Sequence, residues 1–248
     1  MKILHVQQTL APNYGGPARL LPSLARAQAA AGHIVHILTT NVDYPQGSYH
    51  DSGLHQIPGG PTIHYESVQF RPMLLSTGMA HYLRSAVRQF DIVHVHGLYR
   101  FPPTYAAYEA RRQEVPYVVR PHGALDPYLY DKSTRGNVRL KRLYERWFDM
   151  PNLDAAGAIH FTTEEERERA AYLGLRAPSF VAPNGLDWAP FEVLPSRGAF
   201  RARWGLDRCP LVLFLGRLHF KKGLDLLVPA FDAVGDQLPD AQLVIAGP

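Results

Sequence analysis

The chain has 248 residues, 46% of them hydrophobic and 19% charged, a balance that supports a soluble core organised as one large or two smaller domains. A formal charge of +4 suits acidic small molecules or an anionic membrane face and is too weak to argue for nucleic acid. The single cysteine, Cys209, excludes an intramolecular disulfide framework, so a reducing, cytoplasmic compartment is expected.

The opening stretch MKILHVQQTLAP does not read as a secretory signal, because its apolar run is short and broken by His5 and by Gln7 and Gln8. No stretch approaches the roughly 18 uncharged apolar residues of a bilayer span. In chain order, strands are expected at 2–7, 33–40, 62–67, 91–96, 117–121, 157–162 and 179–182. Between the first two, Leu20, Leu21, Leu24 and Ala27 repeat at helical spacing and Gly32 supplies the stop. Pro22 lies inside that pattern and is expected to kink the helix or delay its start. Helices are expected again over 76–90 and 103–115. Strand-helix alternation with strands apolar on both faces predicts an α/β fold, a parallel sheet with helices on each side. The segment 181–198 breaks this rhythm with prolines and glycines and reads as a connector. The expected organisation is a domain over 1–183, a linker over 184–198 and a second strand-helix-strand unit over 199–248, with Cys209 on a buried strand.

The chemically unusual residues fall after strands, at the sheet edge where ligands of open parallel sheets bind. Gly15 and Gly16 remove two side chains where backbone approaches, and Pro17 suits a first helical turn whose free N–H groups favour an anion. A tight turn with no ligand is the plain alternative. His94 and His96, two apart on a strand, share a face. A third metal ligand at sensible spacing is not evident, so no metal site is expected. His94 reads as packed, whereas His96 at the strand end is expected to reach the cleft. Arg120 ends the next strand, and His122 with Gly123 is expected to hold an imidazole over the cleft, where it can hydrogen-bond a sugar hydroxyl or stabilise charge. LGRLHFKKG, residues 215–223, is the sharpest signal. Arg217 and Lys222 flank a strand-to-helix turn and suit one diphosphate, arginine as a fork and lysine as a point charge. Such cations stabilise a departing diphosphate.

In chain order NYGGP, HVHG, RPHG, FTTEEERE, VAPNGLD and GRLHFKKGLDLL resemble the retaining glycosyltransferases of family 4, with the GT-B fold of two Rossmann-like domains. The resemblance implies transfer of a hexose from a nucleoside-diphosphate sugar to a saccharide or lipid-linked acceptor, with retention of configuration and without a metal or other cofactor. It implies that Gly15 and Gly16 lie near the donor diphosphate, His122 near the transferred sugar, and Arg217 and Lys222 on the diphosphate. Lys221 has no firm counterpart, and Asn184 with Gly185 matches a connector motif. His96, Arg120, Gly123 and Asn184 complete the expected substrate-binding set. The family's later pair of glutamates has no match, since no two Glu here are eight positions apart. A fragment with little turnover of its own is therefore expected. The alternative is a non-catalytic acceptor-binding half that a partner chain completes. A dehydrogenase is disfavoured because no GxGxxG follows a strand.

One further segment, residues 133–150, carries Leu140, Leu143, Tyr144, Trp147 and Phe148 at helical spacing beside Arg135, Arg139, Lys141, Arg142 and Arg146. Peripheral contact with an anionic membrane is one reading. A helix packed on its own domain, basic face in solvent, is the preferred expectation.

Overall fold

In the computed structural model, which describes residues 1–248 apart from 44–46, 48–49, 129–137, 207–208, 220–221, 236 and 248, the chain divides into two units, Met1–Leu186 and Asp187–Pro248. Lys221 and Arg135 lie outside the described residues.

The first unit is built on an eight-stranded sheet. Its strands are β1 (Lys2–Thr9), β2 (Ile34–Thr40), β3 (Gly53–Gln56), β4 (Thr62–Glu66), β5 (Ile92–His96), β6 (Tyr117–Arg120), β7 (Ala158–Phe161) and β8 (Ser179–Val181), in the order β3-β4-β2-β1-β5-β6-β7-β8. All neighbours run parallel except β3, which pairs antiparallel with β4 at one edge. The seven strands expected from the sequence are therefore present. β3 was not expected; its sequence GLHQ carries neither alternation nor an apolar run. The chain leaves β1 towards β2 on one side and later returns to β5 on the other. The rim between β1 and β5 is thus a topological switch point, where open α/β sheets bind ligands.

Helix α1 (Gly16–Ala30) follows β1, α2 (Thr77–Ala86) precedes β5, and α3 (Phe101–Arg112) joins β5 to β6. α1 begins at Gly16, undelayed, and runs continuously past Pro22, whose missing N–H removes one bond to the turn before it. The two faces of the sheet differ in chemistry. Leu4, Val6, Val93, Val95, Val119 and Ile159 point to one side and form the main core with Met79 and Leu83 of α2 and Ala106 and Ala110 of α3. On β1, β5, β6 and β7 the alternate residues are His5, His94, His96, Arg120 and His160, as the two-residue strand period requires.

The connection after β6 leads into α4 (Val138–Tyr144), a π-helical turn over Glu145–Asp149 and α5 (Met150–Asp154), and α6 (Glu164–Ala170) follows β7. At α4 and the π-helical turn the helix does pack on its own domain with Arg139, Arg142 and Arg146 in solvent, but the apolar stripe is not the face it buries. Leu140, Leu143, Trp147 and Phe148 are exposed, Leu140 at 64% and Trp147 at 66%. The face turned inward carries Glu145 and Asp149 instead. Thr104 Oγ1 donates to Asp149 Oδ1 at 2.7 Å, Tyr99 N–H to Asp149 Oδ2 at 3.1 Å, and Tyr99 Oη–H to Glu145 Oε1 at 3.2 Å.

The second unit contains α7 (Ala199–Trp204), β9 (Leu211–Leu215), α8 (Leu224–Asp232) and β10 (Gln242–Ala246). β9 and β10 pair in parallel as a two-stranded sheet. Cys209 precedes β9 and is half-buried, its Sγ 3.2 Å from the Leu206 carbonyl, and the strand itself is largely exposed, contrary to the buried strand expected. Leu206 alone is buried among the described residues of this unit. A two-stranded sheet has little means of covering its own apolar faces.

Because Leu4 is fully buried whereas Leu215 is 79% exposed, the same truncation separates the two units. Leu4→Ala is expected to cost about 2–5 kcal/mol in urea denaturation. Leu215→Ala is expected to change stability by no more than about 0.5 kcal/mol.

Candidate functional site

At the rim beyond β1, a short 3-10 turn over Pro12–Tyr14 leads to Gly15, the residue capping α1. Gly15 sits at φ 107°, where glycine is favoured, and no side chain caps the helix. A Cβ built on Gly16 would meet nothing within 4 Å, so open space fronts the first turn. Uncapped N–H groups beside open space are what an anion requires.

At the end of β6 the chain turns through His122 and Gly123, with φ of 56° and 73°. A histidine in this left-handed region is held there by its surroundings. Glu166 does much of that holding. Thr163 caps α6 by accepting from Glu166 N–H, and the Glu166 carboxylate accepts from Gly123 N–H at 2.5 Å and from Thr162 N–H and Oγ1–H at 2.7 Å each. A cavity of about 480 Å³ opens beside this loop, lined by Pro17, His122, Gly123, Thr162, Glu166 and Asn184 among others. The sequence-derived candidates Gly123, His122 and Asn184 thus share one cavity wall, and Glu166 joins them unexpectedly. Its signal was the Thr163-to-Glu166 capping spacing.

His96 and Arg120 lie behind this wall. His96 is 2% exposed and does not itself reach the cleft, in contrast to the expectation from its place at the strand end. Its Nδ1 lies 3.1 Å from His122 Nε2, so it meets the cavity through His122. His96 Nε2 in turn lies 3.0 Å from His5 Nδ1, and His5 Nε2 lies 2.7 Å from Gln28 Oε1 on α1. Arg120 is buried in the same layer, with Nη2 donating to the Ala182 carbonyl at 3.4 Å and Nε unpartnered among the described residues. His160 Nε2 donates to that carbonyl at 2.9 Å, and its Nδ1 faces His94 Nε2 at 3.4 Å.

The imidazoles of this layer are uncharged at neutral pH. Burial, helped by the Arg120 cation, pulls His5 down to about 4 and His122 down to about 3, and holds His94 and His96 well below the ordinary histidine value. His122 is therefore uncharged at neutral pH in this structure and can hydrogen-bond a ligand as a neutral imidazole. Sequence spacing showed no third ligand beside His94 and His96. His5, in register with His94 on the neighbouring strand, gives these rings a common centre, with ligand atoms all within 4.8 Å of one another.

In the second unit, Arg217 and Lys222 lie in the turn between β9 and α8, and both are exposed. The ends of the two strands approach closely there. Gly216 N–H donates to the Ala246 carbonyl at 2.9 Å, and a Cβ on Gly247 would collide with the Gly216 carbonyl. Gly223, at φ 68°, caps α8.

Residues 14–189 match the family described as Glycosyltransferase Family 4. The chain is 26% identical over 255 aligned positions to a phosphatidylinositol N-acetylglucosaminyltransferase subunit of Arabidopsis thaliana, covering 100% of this chain and 52% of that protein. It is 25% identical to a GDP-mannose:cellobiosyl-diphosphopolyprenol alpha-mannosyltransferase of Xanthomonas campestris, covering 100% of this chain and 60% of that one. The chain thus spans about half to three-fifths of the length of these relatives. Among solved structures, sucrose-phosphate synthase from Thermosynechococcus elongatus superposes with a TM-score of 0.69 at 18% identity, covering 100% of this chain and 62% of that one. The catalytic domain of starch synthase IV from Arabidopsis thaliana gives 0.60 at 14%, covering 99% of this chain and 68% of that one. The α/β architecture with its parallel Rossmann-like sheet is that of the GT-B glycosyltransferases. No helix among the described residues is long and apolar enough to cross a membrane.

The neutral imidazoles make stability depend on pH in a definite direction. An unfolded histidine takes up its proton near pH 6.5, whereas folded His5 and His122 resist until about 4 and 3. The unfolded state therefore binds more protons across that interval, and stability present above pH 6.5 is lost on acidification. Between pH 7 and 5.5, urea denaturation is expected to show a fall of up to about 1.4 kcal/mol per pH unit for each such histidine. His5→Gln should reduce the slope by one histidine's share.

Proposed function

The chain belongs to glycosyltransferase family 4, and from that premise we propose that it serves the transfer of a hexose from a nucleoside-diphosphate sugar to a saccharide or lipid-linked acceptor, with retention of configuration. The observation that carries this reading is the rim of the first unit, where an uncapped glycine start of α1 and the left-handed His122–Gly123 turn border one sheet edge. In the reaction the bond between the sugar's anomeric carbon and the diphosphate oxygen breaks. The nucleoside diphosphate leaves with the electron pair, the acceptor oxygen bonds to the same face of the sugar, and the proton of its hydroxyl passes to the departing diphosphate. Arg217 and Lys222 stabilise the negative charge on the departing diphosphate without a metal, and the uncapped first turn of α1 at Gly16, admitted by the Gly15 turn, offers backbone N–H groups to an anion. His122 orients the sugar through a hydrogen bond. Gly123 shapes that loop, Asn184 borders the cavity, and His96 and Arg120 support it from behind.

The relatives named for lipid-linked or phosphoinositide acceptors support a lipid-borne acceptor, and a cytoplasmic location is part of the same proposal. The exposed Leu140, Leu143, Trp147 and Phe148, beside Arg139, Arg142 and Arg146, suit peripheral contact with anionic lipid. A second reading, an acceptor-binding half completed by a partner chain, is favoured by the exposure of Leu213, Leu215 and Leu226 in the second unit. With the apolar strand and helix faces of the second unit exposed, little turnover is expected of the 248 residues alone.

Titration with UDP- and GDP-hexoses tests the donor assignment. Binding weakened at least tenfold by Arg217→Ala or Lys222→Ala, corresponding to about 1.4 kcal/mol or more, is the expected result. Affinity unmoved by both substitutions would sink it, and brisk transfer by residues 1–248 alone would overturn the statement on turnover. For the lipid contact, sedimentation with vesicles of phosphatidylglycerol should be strong at low salt, weak at high salt, and lost in Arg139→Glu/Arg142→Glu. Equal partition onto phosphatidylcholine vesicles would argue against it.

A further inference from the structure

The four groups Gln28, His5, His96 and His122 form one unbroken hydrogen-bonded line from α1 through the sheet to the cavity wall, with separations of 2.7, 3.0 and 3.1 Å. A neutral imidazole has one N–H donor and one lone-pair acceptor, so fixing either end of such a line fixes every ring in it. The Gln28 end presents Oε1, which can only accept. His5 must then carry its proton on Nε2 and accept at Nδ1. His96 must donate from Nε2 and accept at Nδ1, and His122 must donate from Nε2. What is left to the cavity at His122 is Nδ1, with its lone pair.

We propose that Gln28 and His5 are positioning residues that act through His96 to fix His122 in the Nε2–H form, so that Nδ1 accepts a hydrogen bond from a hydroxyl of the bound sugar. The clause about the sugar rests on the functional reading above; the tautomer does not. The line works only with uncharged rings, and the burial of His5 and His96 beside the Arg120 cation keeps them so. A parallel case stands next to it. The Ala182 carbonyl can only accept, so His160 donates from Nε2, its Nδ1 accepts, and His94 points Nε2–H towards it. Direction set at one end and passed from ring to ring is thus how this sheet face is wired.

The same rings invite a metal reading, since His5, His94 and His96 converge. The structure favours the hydrogen-bonded line for two reasons. His5 Nδ1 and His96 Nε2 already face each other at 3.0 Å, a contact that holds a proton between them. The charge acting on all three rings is the Arg120 cation, and no carboxylate joins the cluster among the described residues. A divalent ion there would gain imidazoles and lose to a buried guanidinium.

Imidazole nitrogen spectra of the 15N-labelled protein at pH 7 test this, with His122 assigned from His122→Asn. His5, His96 and His122 should each show a protonated Nε2 and a bare Nδ1. Gln28 is half-buried on α1, so its side chain can be exchanged without opening the core. Gln28→Glu keeps an acceptor and should leave the pattern intact. Gln28→Lys supplies a donor and should reverse it, turning His122 from mostly Nε2–H to mostly Nδ1–H, three rings away from the substitution. A protonated Nδ1 on His122 in the unaltered protein would overturn the proposal. So would an unchanged His122 in a folded Gln28→Lys, or uptake of one equivalent of zinc with loss of the Nε2–H pattern. Should Gln28→Lys not fold, the spectrum of the unaltered protein decides alone. Addition of UDP-glucose or GDP-mannose should shift His122 Nδ1. If the tautomers and their reversal hold while neither donor moves Nδ1, the sugar-facing role fails and the wiring stands.

Discussion

Hydrogen bonds between uncharged imidazoles, made across one face of a parallel sheet, are the constraint on which the first unit depends. A central parallel strand is buried on both sides, and such strands are normally apolar throughout. Here β1, β5 and β7 keep that chemistry on one face only. On the other they carry His5, His94, His96 and His160, with Arg120 on β6 among them. A buried ring nitrogen without a partner costs on the order of 1–3 kcal/mol, so the arrangement is stable only if each ring is matched to its neighbour. That requirement couples the strands to one another, to α1 through Gln28, and to the cavity through His122. Networks of this sort are stiff because a change at one member leaves others unsatisfied.

The same logic explains how a residue in a strained backbone region comes to be well placed. His122 is gripped from two directions. Its ring is bound inward to His96, and the peptide after it is bound by Glu166, whose own position follows from the capped start of α6. Both contacts oppose relaxation of the left-handed backbone at His122. A group that orients a substrate needs this support from rigid elements behind it.

Much of this was legible in the amino-acid order. Short apolar runs between helical patterns marked the seven principal strands, and the glycines at 15, 16 and 123 marked turns that do adopt positive φ or open space. The histidine layer was only half legible. ILHV, VHVH and AIHF each place histidine one residue out of phase with the apolar set, a pattern consistent with a shared face. What the order could not supply was strand neighbourhood: that β1 lies beside β5, and so His5 beside His94, is a property of topology. For the same reason His96 read as reaching the cleft. A strand-end position is open only if the next loop leaves it so, and the His122 turn closes over it. β3 was invisible because an edge strand is held by backbone pairing and asks little of its side chains.

The segment around Trp147 shows a different limit. Helical spacing says which residues share a face and is silent on which face turns inward. The apolar stripe was the natural candidate for burial, yet the pocket available to this helix is lined by the Tyr99 amide and hydroxyl and the Thr104 hydroxyl, all donors. Donors in a buried pocket need acceptors, and Glu145 and Asp149, four residues apart, provide them on the opposite side of the helix. Burial pushes the Asp149 carboxyl up to about 6, so this choice carries a real desolvation penalty, offset by the two bonds it accepts. Once the carboxylates face in, the stripe has nowhere to go but out. The outward Leu140, Leu143, Trp147 and Phe148 are thus a consequence of hydrogen-bond matching inside.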